Sequence, residues 1–84
     1  MMDLTRTPQH LGTLIRRARK KQGLSQAELG ARCGFRQETI SLVENGSPAT
    51  RLDTLLAILA ALELDLFVGG RPETSSFDIE DLLG

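Results

Sequence analysis

A chain of 84 residues with 40% hydrophobic residues and a net charge of −1 is sized for one small globular domain, and it is too apolar for a disordered chain. One cysteine, Cys33, excludes an intrachain disulfide and a thiolate metal cluster, and we expect it to be a buried, inert thiol. No leader peptide and no apolar run of membrane-spanning length is visible, which predicts a cytoplasmic protein with no membrane partner.

The charges are distributed unevenly along the chain. Up to Arg51 there are nine basic and four acidic residues, a net charge of +5, whereas from Leu52 onward one basic residue stands against seven acidic ones, a net charge of −6. This asymmetry favours an anionic partner for the first part and a different partner for the second. Solvated charges on opposite faces would give the same count.

The first helix is predicted to begin at Thr7-Pro8, where a capping hydroxyl precedes a proline at the position that needs no N–H. We expect Gly23 to end it. His10 should lie on the surface near the helix start. Apolar residues recur at helical spacing and predict a core-facing stripe: Leu11, Leu14, Ile15 and Ala18.

The stretch from Ser25 to Gly46 has the signals of two short helices joined by a tight turn. Ser25 and Glu28 form an S-x-x-E capping box, and Gly30 is small enough to let a second helix cross closely. Gly34 suits the left-handed turn between the helices. The pattern predicts a helix-turn-helix whose second helix enters the DNA major groove. An ordinary helical hairpin in a small bundle is the alternative.

From about Leu14 to Leu64 the chain resembles the phage-repressor (XRE/Cro-type) class of helix-turn-helix domains. The resemblance rests on three pieces in register: L-S-Q-A-E-L, G-F and I-S-x-x-E-N-G. It implies a transcriptional repressor that binds a palindromic double-stranded DNA operator as a homodimer. It also implies a structural ion pair between Arg19 and Glu44.

The candidate DNA contacts divide into two sets. Phosphate binding is expected at the start of the first motif helix and after the second, from Ser25, Gln26, Asn45, Ser47 and Arg51. Base reading is expected from the second helix, from Arg36, Gln37, Glu38, Thr39 and Ser41. Glu38 is ambiguous, because its carboxylate can accept from a cytosine amino group or simply favour the positive helix start. Leu42 is expected to limit how far along the helix base reading extends.

A further helix beginning at Thr50 or Arg51 is apolar over most of its girth, with Leu52, Leu55, Leu56, Leu59 and Leu62 in one stripe. Leu64 to Val68 then alternates and ends at Gly69-Gly70, which predicts a short strand or, alternatively, a continuation of the helix. No other strand is predicted to pair with it, so we expect it to pair with its copy across a two-fold axis. The predicted dimerisation residues are Ile58, Leu62, Leu64, Leu66, Phe67 and Val68. The expected fold is thus an all-α bundle of four to five helices with one C-terminal strand.

We expect residues 1–70 to form the DNA-binding and dimerisation domain and residues 71–84 to form an acidic tail that is either solvated or ordered on a partner. The strand and tail make the chain most similar to HipB-type antitoxins, which implies autoregulation of an operon and binding to a HipA-like serine/threonine kinase toxin. The alternatives are a phage-type or restriction-control regulator without a toxin, and a protein-interaction module that has lost DNA binding. No catalytic constellation or cofactor site is recognisable.

Overall fold

The computed structural model describes residues 4–71, which fold into four helices. The helices are α1 (Pro8–Lys21), α2 (Gln26–Cys33), α3 (Gln37–Glu44) and α4 (Leu52–Ala61). Residues 4–71 contain no strand. The predicted all-α bundle with a helix-turn-helix is therefore confirmed. The predicted tail, apart from Arg71, lies outside the described residues.

The ends of α1 are those that the sequence predicts. The Thr7 hydroxyl accepts a hydrogen bond from the His10 backbone N–H at 3.0 Å, and Pro8 occupies the first helical position. At the other end Gly23 takes a left-handed conformation with φ of 73° after the Gln22 cap. His10 is exposed, as expected.

The helix-turn-helix is also closed by local chemistry. Ser25 and Glu28 form the reciprocal capping box, and Gly34 ends α2 in the left-handed region with φ of 77°. Arg36 stands at the N-cap of α3 and makes no side-chain capping bond. The turn after α3 passes through Gly46 with φ of 82°.

The buried core draws on all four helices. α3 packs against α1 and α2, and α2 also packs against α4. The buried apolar side chains are Ile15, Leu29, Ile40, Val43, Ile58, Leu59 and Leu62. Cys33 lies half-buried at the edge of this core, where its thiol donates to the Leu29 carbonyl at 3.2 Å and burial raises its pKa.

Two glycines allow close backbone approaches. A Cβ on Gly12 would lie 2.5 Å from the Glu44 carbonyl oxygen and 2.6 Å from that of Val43, so α1 and the end of α3 touch through this residue. A Cβ on Gly30 would lie 2.5 Å from the Phe35 carbonyl oxygen. Gly30 therefore accommodates the turn before α3 and not, as predicted, the crossing of a second helix.

The predicted roles of two α4 residues need correction. Ile58 and Leu62 lie inside the core of the single chain at 0% and 1% exposure, so their side chains are not accessible to a second subunit. They are core residues and not dimerisation residues. Leu52 and Leu56, which belong to the predicted apolar stripe of this helix, are exposed in the single chain.

The segment that follows α4 does not form the predicted strand. Residues 64–68 have no regular secondary structure, and helical continuation is wrong as well, because α4 ends in a Schellman motif. Glu63 adopts φ of 59°, and the Leu64 N–H donates to the Leu59 carbonyl at 2.8 Å. Leu64 then packs against the core, while Leu66, Phe67 and Val68 are exposed. Within the single chain a strand does not form here, because residues 4–71 contain no second strand to pair with it.

Candidate DNA-binding surface

The recognition helix α3 is buried along one side and exposed along the other. Ile40, Val43 and Glu44 face inward. Since helical residues turn by about 100° each, Glu38 and Leu42 lie on the opposite side, and both are exposed. This exposed side, together with the start of α2 and the loop after α3, is the candidate DNA-binding surface.

A buried carboxylate anchors the end of α3. Glu44 Oε2 accepts from Arg19 Nε at 2.6 Å and Glu44 Oε1 accepts from Arg19 Nη2 at 3.0 Å, with side-chain exposures of 2% for Glu44 and 9% for Arg19. Arg19 Nη1 also donates to the Leu24 carbonyl at 2.7 Å. The hydrogen bonds to Glu44 and the charge of its carboxylate raise the pKa of the Arg19 guanidinium above its ordinary value. The ion pair implied by the resemblance is confirmed, and it ties α3 to α1.

Gln26 connects α2 to the same carboxylate. Its side-chain amide donates to Glu44 Oε1 at 3.1 Å, and the residue is half-buried. The sequence assigned Gln26 only to phosphate binding and gave no sign of this contact. With one amide hydrogen bond committed, Gln26 is held at the helix start with its remaining polar groups available to a ligand.

The start of α2 retains backbone donors. The capping box engages the N–H groups of Ser25 and Glu28 at 2.8 Å and 3.0 Å. The N–H groups of Gln26 and Ala27, in the first turn, have no partner within an α-helix. Together with the helix dipole they favour an anion at this point.

The predicted base-reading residues lie on or beside the exposed side of α3. Arg36, Gln37 and Glu38 are exposed, whereas Thr39 and Ser41 are half-buried. Among residues 4–71, the Glu38 side chain has no hydrogen-bond or ion-pair partner, in contrast to the other acidic residues of the helices.

The loop after α3 carries the remaining predicted phosphate ligands. Asn45 is exposed and its amide donates to the Ser41 hydroxyl over a long 3.4 Å. Ser47 is half-buried and accepts from the Ala49 N–H at 3.4 Å. Arg51 forms a two-pronged ion pair with Asp53 at 3.1 Å and 3.0 Å. Because both side chains are largely exposed, this pair is weak enough to exchange for another anion.

This arrangement of helices matches a known protein family. The helix-turn-helix family profile matches residues 15–68. The chain belongs to the helix-turn-helix family. Among residues 4–71, every helix of this family member is too short or too polar to cross a membrane.

Curated helix-turn-helix relatives include regulators and antitoxins. The chain is 37% identical to the antitoxin HipB of Escherichia coli K12 over 60 residues, which cover 71% of this chain and 68% of HipB. It is 39% identical to an HTH-type transcriptional regulator of Archaeoglobus fulgidus, over 86% of this chain and 96% of that protein. The regulator y4dL of Sinorhizobium fredii is 38% identical, and the match covers 69% of this chain but only 30% of y4dL.

Solved helix-turn-helix structures agree in fold. A HipB variant in complex with an O2 20mer superimposes with a TM-score of 0.78 at 33% identity, over 83% of this chain and 97% of that one. HipB in a HipA–HipB–O2–O3 complex gives a TM-score of 0.77 at 32% identity, over 82% of this chain and 97% of that one. The fold of the described chain is thus HipB-like.

Proposed function

We propose that this protein is a sequence-specific DNA-binding repressor of the HipB type, which binds a palindromic operator as a homodimer and serves as the antitoxin of a HipA-like kinase toxin. The proposal rests on the exposed side of α3, which the buried Arg19–Glu44 pair holds in place at the surface. The similarity to HipB bound to operator DNA supports it. The function is one of binding, without catalysis, and it is exercised in the cytoplasm where the operator lies.

Phosphate contacts would fix the register of the protein on the duplex. The free N–H groups at the start of α2 and the Ser25 and Gln26 side chains would hold one phosphate. The loop after α3 would hold another through Asn45, Ser47 and Arg51, with Arg51 exchanging Asp53 for the phosphate.

Base contacts would come from α3. Gln37 has the two-pronged amide that pairs with adenine, and Arg36 can fork onto guanine. Glu38 would not contact a phosphate, because its carboxylate and the phosphate are both negatively charged. Its exposed carboxylate is suited to a cytosine amino group deep in the groove. Both Thr39 and Ser41 are half-buried; Thr39 would contribute through its hydroxyl or methyl group and Ser41 through its hydroxyl.

A pair of variants tests the division between base and phosphate contacts. Gln37→Ala should weaken operator binding by about 1–3 kcal/mol and leave binding to a scrambled duplex unchanged, because a base-edge contact is lost and no charge is. Arg51→Ala should weaken both duplexes alike and flatten the dependence on salt. Fluorescence titrations at two salt concentrations measure both effects. Equal losses on both duplexes for Gln37→Ala would remove it from the base-reading set.

Dimerisation is proposed to use the apolar groups that the single chain leaves exposed. These are Leu52 and Leu56 on α4 and Leu66, Phe67 and Val68 beyond it. We propose that residues 64–68 become a strand only by pairing with their copy across the two-fold axis. Leu66→Pro removes a ladder donor and should lower the dimer fraction in light scattering at micromolar concentration, whereas Leu66→Val should not. A full dimer with proline present would leave dimerisation to α4 alone.

The toxin partner is tested by binding. We propose that residues 1–70 suffice for the operator and that residues 71–84 engage the toxin. Calorimetry of the intact chain and of a chain truncated after Gly70 should show unchanged operator affinity and weakened binding to a kinase toxin encoded beside this gene. A regulator without a toxin, as the names of the Archaeoglobus and Sinorhizobium relatives allow, would bind the operator and no such kinase.

A further inference from the structure

Leu42 occupies an unusual place for a large apolar side chain. It is 59% exposed, and it lies on the side of α3 opposite the core. Single exposed leucines are common on protein surfaces and mean little alone. This one stands in the middle of the helix face that would enter the major groove.

The neighbours of Leu42 exclude an apolar docking patch at this point. One turn before it is Glu38 and three residues after it is Asn45, both exposed and polar, and Ser41 is adjacent. The buried core of a protein interface is typically apolar, and this face of α3 offers no contiguous apolar surface for one. The side chain also does not serve the core of the described chain, which α3 reaches through Ile40 and Val43.

A leucine in the major groove has one favourable target. It has neither donor nor acceptor, so it cannot read the hydrogen-bonding pattern of a base edge. The apolar feature of that groove is the 5-methyl group of thymine. Against any other base edge the leucine would cover polar groups without replacing their hydrogen bonds to water.

We propose that Leu42 is a specificity-determining residue that reads a thymine methyl group in each operator half-site. This assignment rests on the proposed function and deepens it. It reverses the expectation from sequence that Leu42 ends the base-reading surface. Reading extends to the second turn of α3 by apolar contact, while the first turn reads by hydrogen bonding.

The test uses a duplex selected by the protein from a random-sequence pool, in which each thymine of one half-site is replaced in turn by deoxyuridine. This removes a single methyl group and preserves every hydrogen bond. We expect one position at which replacing thymine by uracil weakens binding about fourfold. This is the change in affinity expected when one buried methyl-sized group is removed. In Leu42→Asn, which is of similar size, thymine and uracil at that position should bind equally.

The matched control is Leu4→Asn, because Leu4 is 60% exposed and lies before α1, outside the proposed DNA-binding and dimerisation surfaces. It should keep the fourfold preference for thymine even if its overall affinity changes. Specific binding without any uracil-sensitive thymine would overturn the assignment and leave the repressor function intact. So would a preference that persists in Leu42→Asn and disappears in Thr39→Ser, since a threonine methyl can make the same contact. Failure to select any duplex over scrambled DNA would refute the proposed function itself.

Discussion

The buried Arg19–Glu44 pair allows a quantitative prediction about the stability of the domain. Arg19→Met leaves the Glu44 carboxylate, 2% exposed, with Gln26 at 3.1 Å as its remaining side-chain partner. An uncompensated buried charge of this kind costs about 3–5 kcal/mol. Two charge-assisted hydrogen bonds at about 1.5–3 kcal/mol each lead to a similar figure. The loss is a large share of the roughly 5–15 kcal/mol that stabilises a typical domain.

The double variant Arg19→Met, Glu44→Leu tests the cause of the stability loss in Arg19→Met. The loss can come from the missing attraction between the two charges or from the Glu44 charge left buried without a partner. It removes both charges and fills the space with apolar groups, so it should be clearly more stable than Arg19→Met alone. Arg51→Met is the matched control, because it deletes an ion pair whose side chains are 80% and 68% exposed. Exposed pairs contribute about 0–1 kcal/mol, so the control should change little.

Urea unfolding followed by far-UV circular dichroism, extrapolated linearly to water, gives the free energy of unfolding of each protein. The four proteins are the unsubstituted chain, Arg19→Met, the double variant and Arg51→Met. Protein concentration must be held fixed, because the proposed dimerisation would contribute to apparent stability. If Arg19→Met loses no more than Arg51→Met, the pair does not anchor α3. If the double variant is no more stable than Arg19→Met alone, the penalty does not come from a stranded charge.

Two further predictions concern the packing and the caps. Gly12→Ala should lower the free energy of unfolding by about 1–3 kcal/mol, because its Cβ would lie 2.5 Å from the Glu44 carbonyl oxygen. Gly69→Ala is the control and should be neutral, because a Cβ there meets nothing within 4 Å. Thermal unfolding compares the two variants, and equal melting temperatures would contradict the close contact at Gly12. Hydrogen bonds from the Ser25 backbone N–H and hydroxyl hold the pKa of Glu28 below its ordinary value. The stability contributed by that carboxylate is therefore complete above the ordinary glutamate pKa and is lost as the pH falls through the lowered folded-state pKa. Glu28→Gln should flatten the loss of stability in this acid range, and an unchanged pH profile by urea titration would argue against the capping contribution.

Local signals predicted the helix-turn-helix well. The Thr7, Ser25 and Gly34 caps act within a few residues of themselves, so the sequence around each is enough to place a helix end. The Arg19–Glu44 pair spans 25 positions, and a resemblance to known domains was needed to predict it.

Features that depend on distant parts of the fold were missed. Nothing near Gly12 in the sequence indicates the approach of the α3 carbonyls, although a glycine inside a helix is itself a signal of close contact. The stripe predicted on α4 included Leu52 and Leu56, which are exposed, and left out Ile58, which is fully buried, because a helix apolar on most sides gives no clear phase. The left-handed residue that ends α4 was not predicted. Glu63 holds this place, which is usually taken by glycine, and a glutamate rarely adopts a positive φ.

The residues of α3 that pack in the core are different from those that are exposed to a ligand, and this separation affects how such regulators diverge. Ile40, Val43 and Glu44 secure the helix, while Gln37, Glu38 and Leu42 are exposed and leave the core untouched. Surface substitutions at sites of this kind usually change stability by less than about 0.5 kcal/mol. Duplicated copies of this gene can therefore drift to new operators through exposed positions alone, each step leaving a folded protein for selection to act on.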